Sequence, residues 1–216
     1  MPIIKSKVPF DVAATFSAQL REFVWTEGDG NVKQSYVGPM GKVPTLADLG
    51  REGDPELIHD AHAFFTLGLY DVMDNGGIGK AVHGGWRFFA GKEEGKILLG
   101  TVTHKKEGWR MTAGYYGDQV WAAYKALKDL EQLEQVKERN FKLRVLAVPG
   151  VNLEAFWLVP TADEERGTDL VVPFPAAPNQ RIEALNRQPV LTMAQFLTAI
   201  RPAARLRMTA SAKYGG

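Results

Sequence analysis

At 216 residues, 45% hydrophobic and 24% charged, the chain falls in the ordinary globular range and is long enough to bury a core in one large domain, so disorder is not expected. Its 26 basic and 25 acidic side chains leave a net charge of +1, which gives no overall electrostatic footprint for nucleic acid or an anionic membrane. Cysteine is absent, which excludes disulfides, thiolate metal sites and thiol nucleophiles and fits a reducing cytoplasm.

The N-terminal stretch MPIIKSKVPFDVAATF carries no continuous apolar run of signal-peptide length. Nor does any run of about 18 apolar residues occur, the length a membrane-spanning helix needs. A soluble, cytoplasmic protein is therefore expected. Asp11 precedes Val12, Phe16 and Leu20 at helical spacing and is placed to accept bonds from the first free amides of a helix. From Thr26 to Gly53 the composition shifts to Gly, Pro, Asp and Asn, which reads as an arm along the surface, with one turn of helix at Thr45 to Asp48. Residues 1–53 are thus expected to be a helix and an extended arm.

Asp54-Pro55-Glu56 has the form of a helix start, and Ile58, Ala61, Phe65, Leu69 and Val72 supply an apolar stripe, so a helix is expected to about Met73. The glycine-rich stretch NGGIGKAVHGG resembles a P-loop only at Gly79-Lys80: Asp74 and Ala81 stand where a glycine and a magnesium-binding hydroxyl belong, and it reads as a connector. Strands are then expected at Trp86 to Ala90, Ile97 to His104 and Trp109 to Tyr116, the last two joined by the polar turn Lys105 to Gly108. A helix follows from Gly117-Asp118, with Val120, Ala123, Tyr124, Leu127 and Leu130 along one side.

The stretch Phe141 to Val159, FKLRVLAVPGVNLEAFWLV, reads as a β-hairpin turned at Pro149-Gly150, with a type II turn that places Gly150 at positive φ. Both arms carry enough Val, Leu, Phe and Trp to be buried, Trp157 among them. A further strand is expected from Asp169 to Phe174, where Pro173 marks an edge or an end. Thr192 and Gln195 form a capping box, with Leu191 and Phe196 as the hydrophobic staple, and open a last helix limited by Pro202. The basic tail 203–216 is expected to be flexible, which leaves 54–202 as a single α+β domain.

The expected fold is α+β, a mainly antiparallel sheet of about five to six strands with helices packed on it, in the order α-α-βββ-α-βββ-α. By element order alone this is similar to profilin-type and PAS-type sensor domains, a likeness that carries no function.

Candidate chemistry is sparse. Glu56, His59 and His62 sit three residues apart on the expected helix, where they would share a side and offer ligands to a metal ion, although the zincin spacing is absent and a core histidine is the commoner outcome. No serine lies in a nucleophile elbow, and sequence does not place His83 or His104 beside a nucleophile. Trp86, Arg87, Trp109, Arg110, Tyr115, Tyr116, Trp121 and Tyr124 concentrate in the strand and helix segments and suit the wall of a small-ligand pocket, or simply an aromatic core. The leading expectation is a non-catalytic protein that binds a small ligand or a protein partner, needs no cofactor, and forms a homodimer through its unprotected sheet edge or its aromatic face. The alternative is a metal-dependent hydrolase built on Glu56, His59 and His62.

Overall fold

The computed structural model describes residues 3–4, 6–28, 60–74, 77–91, 97–137, 139–161, 168–174, 182–187 and 189–214. Most of the expected 26–53 arm, Glu56 and His59 lie outside the described residues. In chain order the first elements are β1 (Ile3–Ile4), α1 (Phe10–Gly28), β2 (Asp60–Thr66), α2 (Leu69–Met73), a 3-10 turn (Gly77–Lys80) and β3 (Val82–Ala90). Next come β4 (Leu98–Lys105), β5 (Gly108–Tyr116), α3 (Asp118–Asp129) and α4 (Glu134–Lys137). The chain ends with β6 (Phe141–Val148), β7 (Leu153–Pro160), β8 (Leu170–Pro173), β9 (Leu191–Thr192) and α5 (Met193–Tyr214).

The fold is mixed helix and sheet, with nine strands in an open, mostly antiparallel sheet and five α-helices among the described residues. That meets the α+β expectation, but the count of about five to six strands and the element order do not hold. Two of the extra strands, β1 and β9, are two residues long and too short to show periodicity. The third, β2, takes residues 60–66 of the helix expected over 54–73, while Leu69–Met73 is helical as expected. Asp60, His62, Ala63 and Phe64 are all buried there, so the strand is covered on both faces and lacks the alternation that marks a half-buried one.

The described chain divides into two compact units, one made of Lys5–Ala63 and Gly84–Lys128, the other of Met1–Ile4, Phe64–His83 and Asp129–Gly216. In the first, β5, β4 and β3 lie side by side and antiparallel, with Trp86 opposite Val102 and Phe89 opposite Leu99. Helix α1 buries Val12, Phe16 and Leu20, four residues apart as one helical face requires. Phe16 stacks on Phe88 with centroids 4.3 Å apart, over Gly100, where a Cβ would overlap the Phe16 ring. Gly85 has φ 139°, and a Cβ there would strike the Val102 carbonyl; the glycine-rich stretch leads through the 3-10 turn into the sheet, and from Val82 onward it is part of β3.

In the second unit the hairpin of β6 and β7 pairs from Phe141↔Pro160 to Val148↔Leu153, and β8 and β9 extend it. β1 pairs with β6 in parallel. Pro173 ends β8, one of the two outcomes expected of it, and β8 is not an edge, because Leu170 and Val171 pair with β9. One face of the hairpin, with Leu146, Val148, Leu153, Ala155 and Trp157, belongs to the same core as Phe196, Leu197, Ile200 and Ala204 of α5. The capping box forms as expected: Gln195 N–H donates to Thr192 Oγ1 at 3.2 Å, and Thr192 N–H donates to Gln195 Oε1 at 2.8 Å. Helix α5 nevertheless continues through Pro202 to Tyr214 and takes in most of the tail expected to be loose.

Candidate functional site

The eight aromatic and arginine residues singled out from sequence fall into separate groups. Trp86 is buried, opposite Val102, while its neighbour Arg87 projects to the other face of β3, as alternation along a strand dictates. Arg87 is 3% exposed; its Nη1 donates to Thr101 Oγ1 and its guanidinium lies 5.4 Å from the Tyr115 ring centroid. It is thus held by its own sheet. Trp109 stands at the far end of the β4–β5 hairpin, edge-on to His104 at 5.0 Å, and exposed Arg110 pairs with Glu107. Tyr116 closes β5 at its other end, opposite Leu98.

The remaining two, Trp121 and Tyr124, are one turn apart on α3, whose buried side carries Val120, Ala123 and Leu127. Their rings meet at 5.8 Å, and Tyr124 meets Phe89 of β3 at 5.7 Å. His62 closes edge-on against Phe89 at 6.5 Å. One turn further along α3, Lys128 Nζ lies 4.9 Å from the Tyr124 ring centroid and donates to Asp60 Oδ2 at 3.0 Å. The Asp60 side chain is 2% exposed and that of Lys128 is 51% exposed, so the pair ties a buried carboxylate to the surface. Burial alone would lower the Lys128 pKa; the hydrogen bond and charge of Asp60, aided by Tyr124, outweigh it and raise the pKa above the ordinary lysine value.

This arrangement gives α3 a surface with half-buried Trp121 and Tyr124 and a fixed ammonium at one end, while Arg87, Thr101 and Tyr115 form a separate group on the sheet. Stacking and one placed charge are the chemistry it offers. Sequence reasoning singled out the rings and missed Asp60 and Lys128. Asp60 falls inside the stretch expected to be a helix, and Lys128 lies off the apolar side read for α3.

Of the proposed metal ligands, only His62 lies among the described residues. It sits on strand β2 and not on a helix. No group of three or more His, Cys, Asp or Glu able to hold a metal occurs among the described residues. No described helix is long and apolar enough to cross a membrane. Comparison with protein-family models, with curated proteins and with solved structures finds no match.

Proposed function

We propose that this chain is a non-catalytic binding protein of the cytoplasm and that the Trp121–Tyr124 surface of α3 takes a flat, small organic ligand. The observation that carries the reading is the run of rings from Phe89 through Tyr124 to Trp121, anchored by the Asp60–Lys128 pair. Half-buried rings held by packing and a fixed charge lose little entropy when a ligand stacks on them.

Saturation-transfer NMR with indole, quinoline and coumarin tests it. Transfer to at least one of these is expected in the parent chain and in Trp109→Ala, and is expected to be lost in a Trp121→Ala, Tyr124→Ala variant. Equal transfer in all three chains, or none in any, contradicts the reading. The metal-dependent alternative has its own test: stoichiometric zinc, manganese or iron in protein purified without tag or chelator, lost in His59→Ala, His62→Ala, would replace binding with metal chemistry.

The assembly we propose is a homodimer. Strand β5 has no strand neighbour other than β4 among the described residues, and although Gln19 of α1 takes the Met111 amide at 2.6 Å, Tyr115 beyond it stays half-buried. Light scattering after size exclusion at low micromolar concentration should give twice the chain mass of 23.9 kDa. A monomer mass removes the dimer and leaves the ligand reading untouched.

A further inference from the structure

The hairpin carries a second cluster, on residues that no functional reading so far uses. Arg144 and Trp157 are paired directly across β6 and β7. The Arg144 guanidinium carbon lies 4.8 Å from the Trp157 ring centroid and 4.8 Å from that of Phe65 on β2. Those two rings meet edge to face at 5.3 Å and 81°, so the guanidinium occupies the corner between them. The corner is rigid. Trp157 is 6% exposed and its Nε1 donates to Asp169 Oδ2 at 2.6 Å, while the His83 ring closes edge-on against Phe65 at 5.2 Å.

Because the two rings stand 81° apart, a planar guanidinium can lay a face on at most one of them, and its five N–H donors, spread in its own plane, are not all covered by the rings. Among the described residues none of the Arg144 N–H groups donates to a protein acceptor; its contacts are the two rings, and Asp169 acts on it through charge alone. Arg144 is half-buried, and burial is the main influence on its pKa, which it lowers, with Asp169 opposing. A cation that has lost part of its water, is fixed in orientation and has no acceptor in its plane is complementary to a planar anion.

We propose that Arg144 heads a binding site for the carboxylate of a small organic acid, which its N–H fork takes in bidentate fashion. The nearby negative charge of Asp169 selects a carboxylate over a phosphate, because it opposes a dianion more than a monoanion, while the fork itself can take either. Exposed Lys142 lies two residues earlier on the same face of β6 and adds long-range attraction without occupying the corner. This site lies in the other unit from the α3 surface and stands whether or not that surface binds a ligand.

Calorimetric titration of the full chain with benzoate, benzamide and phenyl phosphate tests the proposal. Benzoate should bind saturably, with benzamide at least ~10-fold weaker because it lacks the charge. Arg144→Met keeps an unbranched chain over the rings and should reduce benzoate to the benzamide level, whereas Lys142→Met should change it by less than about 3-fold. Equal binding of benzoate and benzamide, no saturable benzoate binding up to ~20 mM, tighter binding of phenyl phosphate than benzoate, or an unchanged affinity in Arg144→Met would each overturn it. The benzoate and benzamide comparison uses the parent chain, so equal binding of the two overturns the proposal even if Arg144→Met does not fold.

Discussion

Asp60 and Lys128 are 68 residues apart in the chain, and their side chains meet at 3.0 Å. Because Asp60 is buried and Lys128 half-exposed, removing the lysine leaves a buried carboxylate without its cation, while the exposed end of the pair limits what the attraction itself is worth. Lys128→Met should therefore destabilise the protein by about 1 to 3 kcal/mol in urea unfolding, and adding Asp60→Asn should recover part of that loss. A double variant as unstable as the sum of the two single ones would show that the residues act independently.

The same pair sets an alkaline limit. The Lys128 pKa is raised in the folded chain, so its contribution is fully present below the unfolded lysine value and is lost as pH climbs through the higher folded value. The parent should lose more stability than Lys128→Met between about pH 10 and pH 12. Parallel curves for the two proteins over that window would contradict it.

The hairpin turn differs from the one its Pro-Gly sequence suggests, and the difference changes the reason Gly150 matters. Pro149–Val151 forms a 3-10 turn, and the left-handed residue is Asn152, at φ 51° and ψ 49°. Gly150 is needed for space, since a Cβ there would overlap Leu69 Cγ. Gly150→Val should cost about 1 to 3 kcal/mol, and less in a Leu69→Ala background. Asn152→Gly should be nearly neutral, and Asn152→Val should cost about 1 to 2 kcal/mol. If Gly150→Val costs the same with and without Leu69, the close approach is not the cause.

Trp157 offers a separate check on the hairpin face. Trp157→Ala should cost about 3 to 5 kcal/mol through the cavity it leaves, and Trp157→Phe about 1 to 2 kcal/mol, mainly through loss of the indole bond to Asp169. A Trp157→Ala melting temperature within about 2 °C of the parent would mean that the indole is not part of the core.

How much of this was readable depended on whether a segment announces itself locally. The Phe141 to Val159 hairpin, the β4–β5 hairpin and the Thr192–Gln195 cap did, because alternation, turn residues and a capping box are all short-range signals. β2 did not: with Asp60, His62 and Phe64 buried together, its pattern comes from tertiary cover on both faces, and Ile58, Ala61 and Phe65 happen to mimic a helical stripe. The candidate sites divide in the same way. Rings on α3 were visible because helical spacing aligns Trp121 with Tyr124, but Asp60 meets Lys128 only through the fold. Arg144 opposite Trp157 was not within reach of sequence, since counting back from a two-residue Pro149-Gly150 turn sets it opposite Ala155 and only the longer turn that ends at Asn152 brings it to Trp157; nor does any local signal give Phe65 closing the corner from a strand read as a helix.

The central claim is that ligand meets this protein at the α3 rings. Labelling the five tryptophans with 5-fluorotryptophan and recording fluorine NMR while quinoline is added tests that contact directly. The resonance assigned to Trp121, by its absence in Trp121→Phe, should shift saturably while that of Trp109 stays in place. A spectrum in which the Trp121 resonance does not move, or in which all five drift together in proportion to added quinoline, would contradict the account.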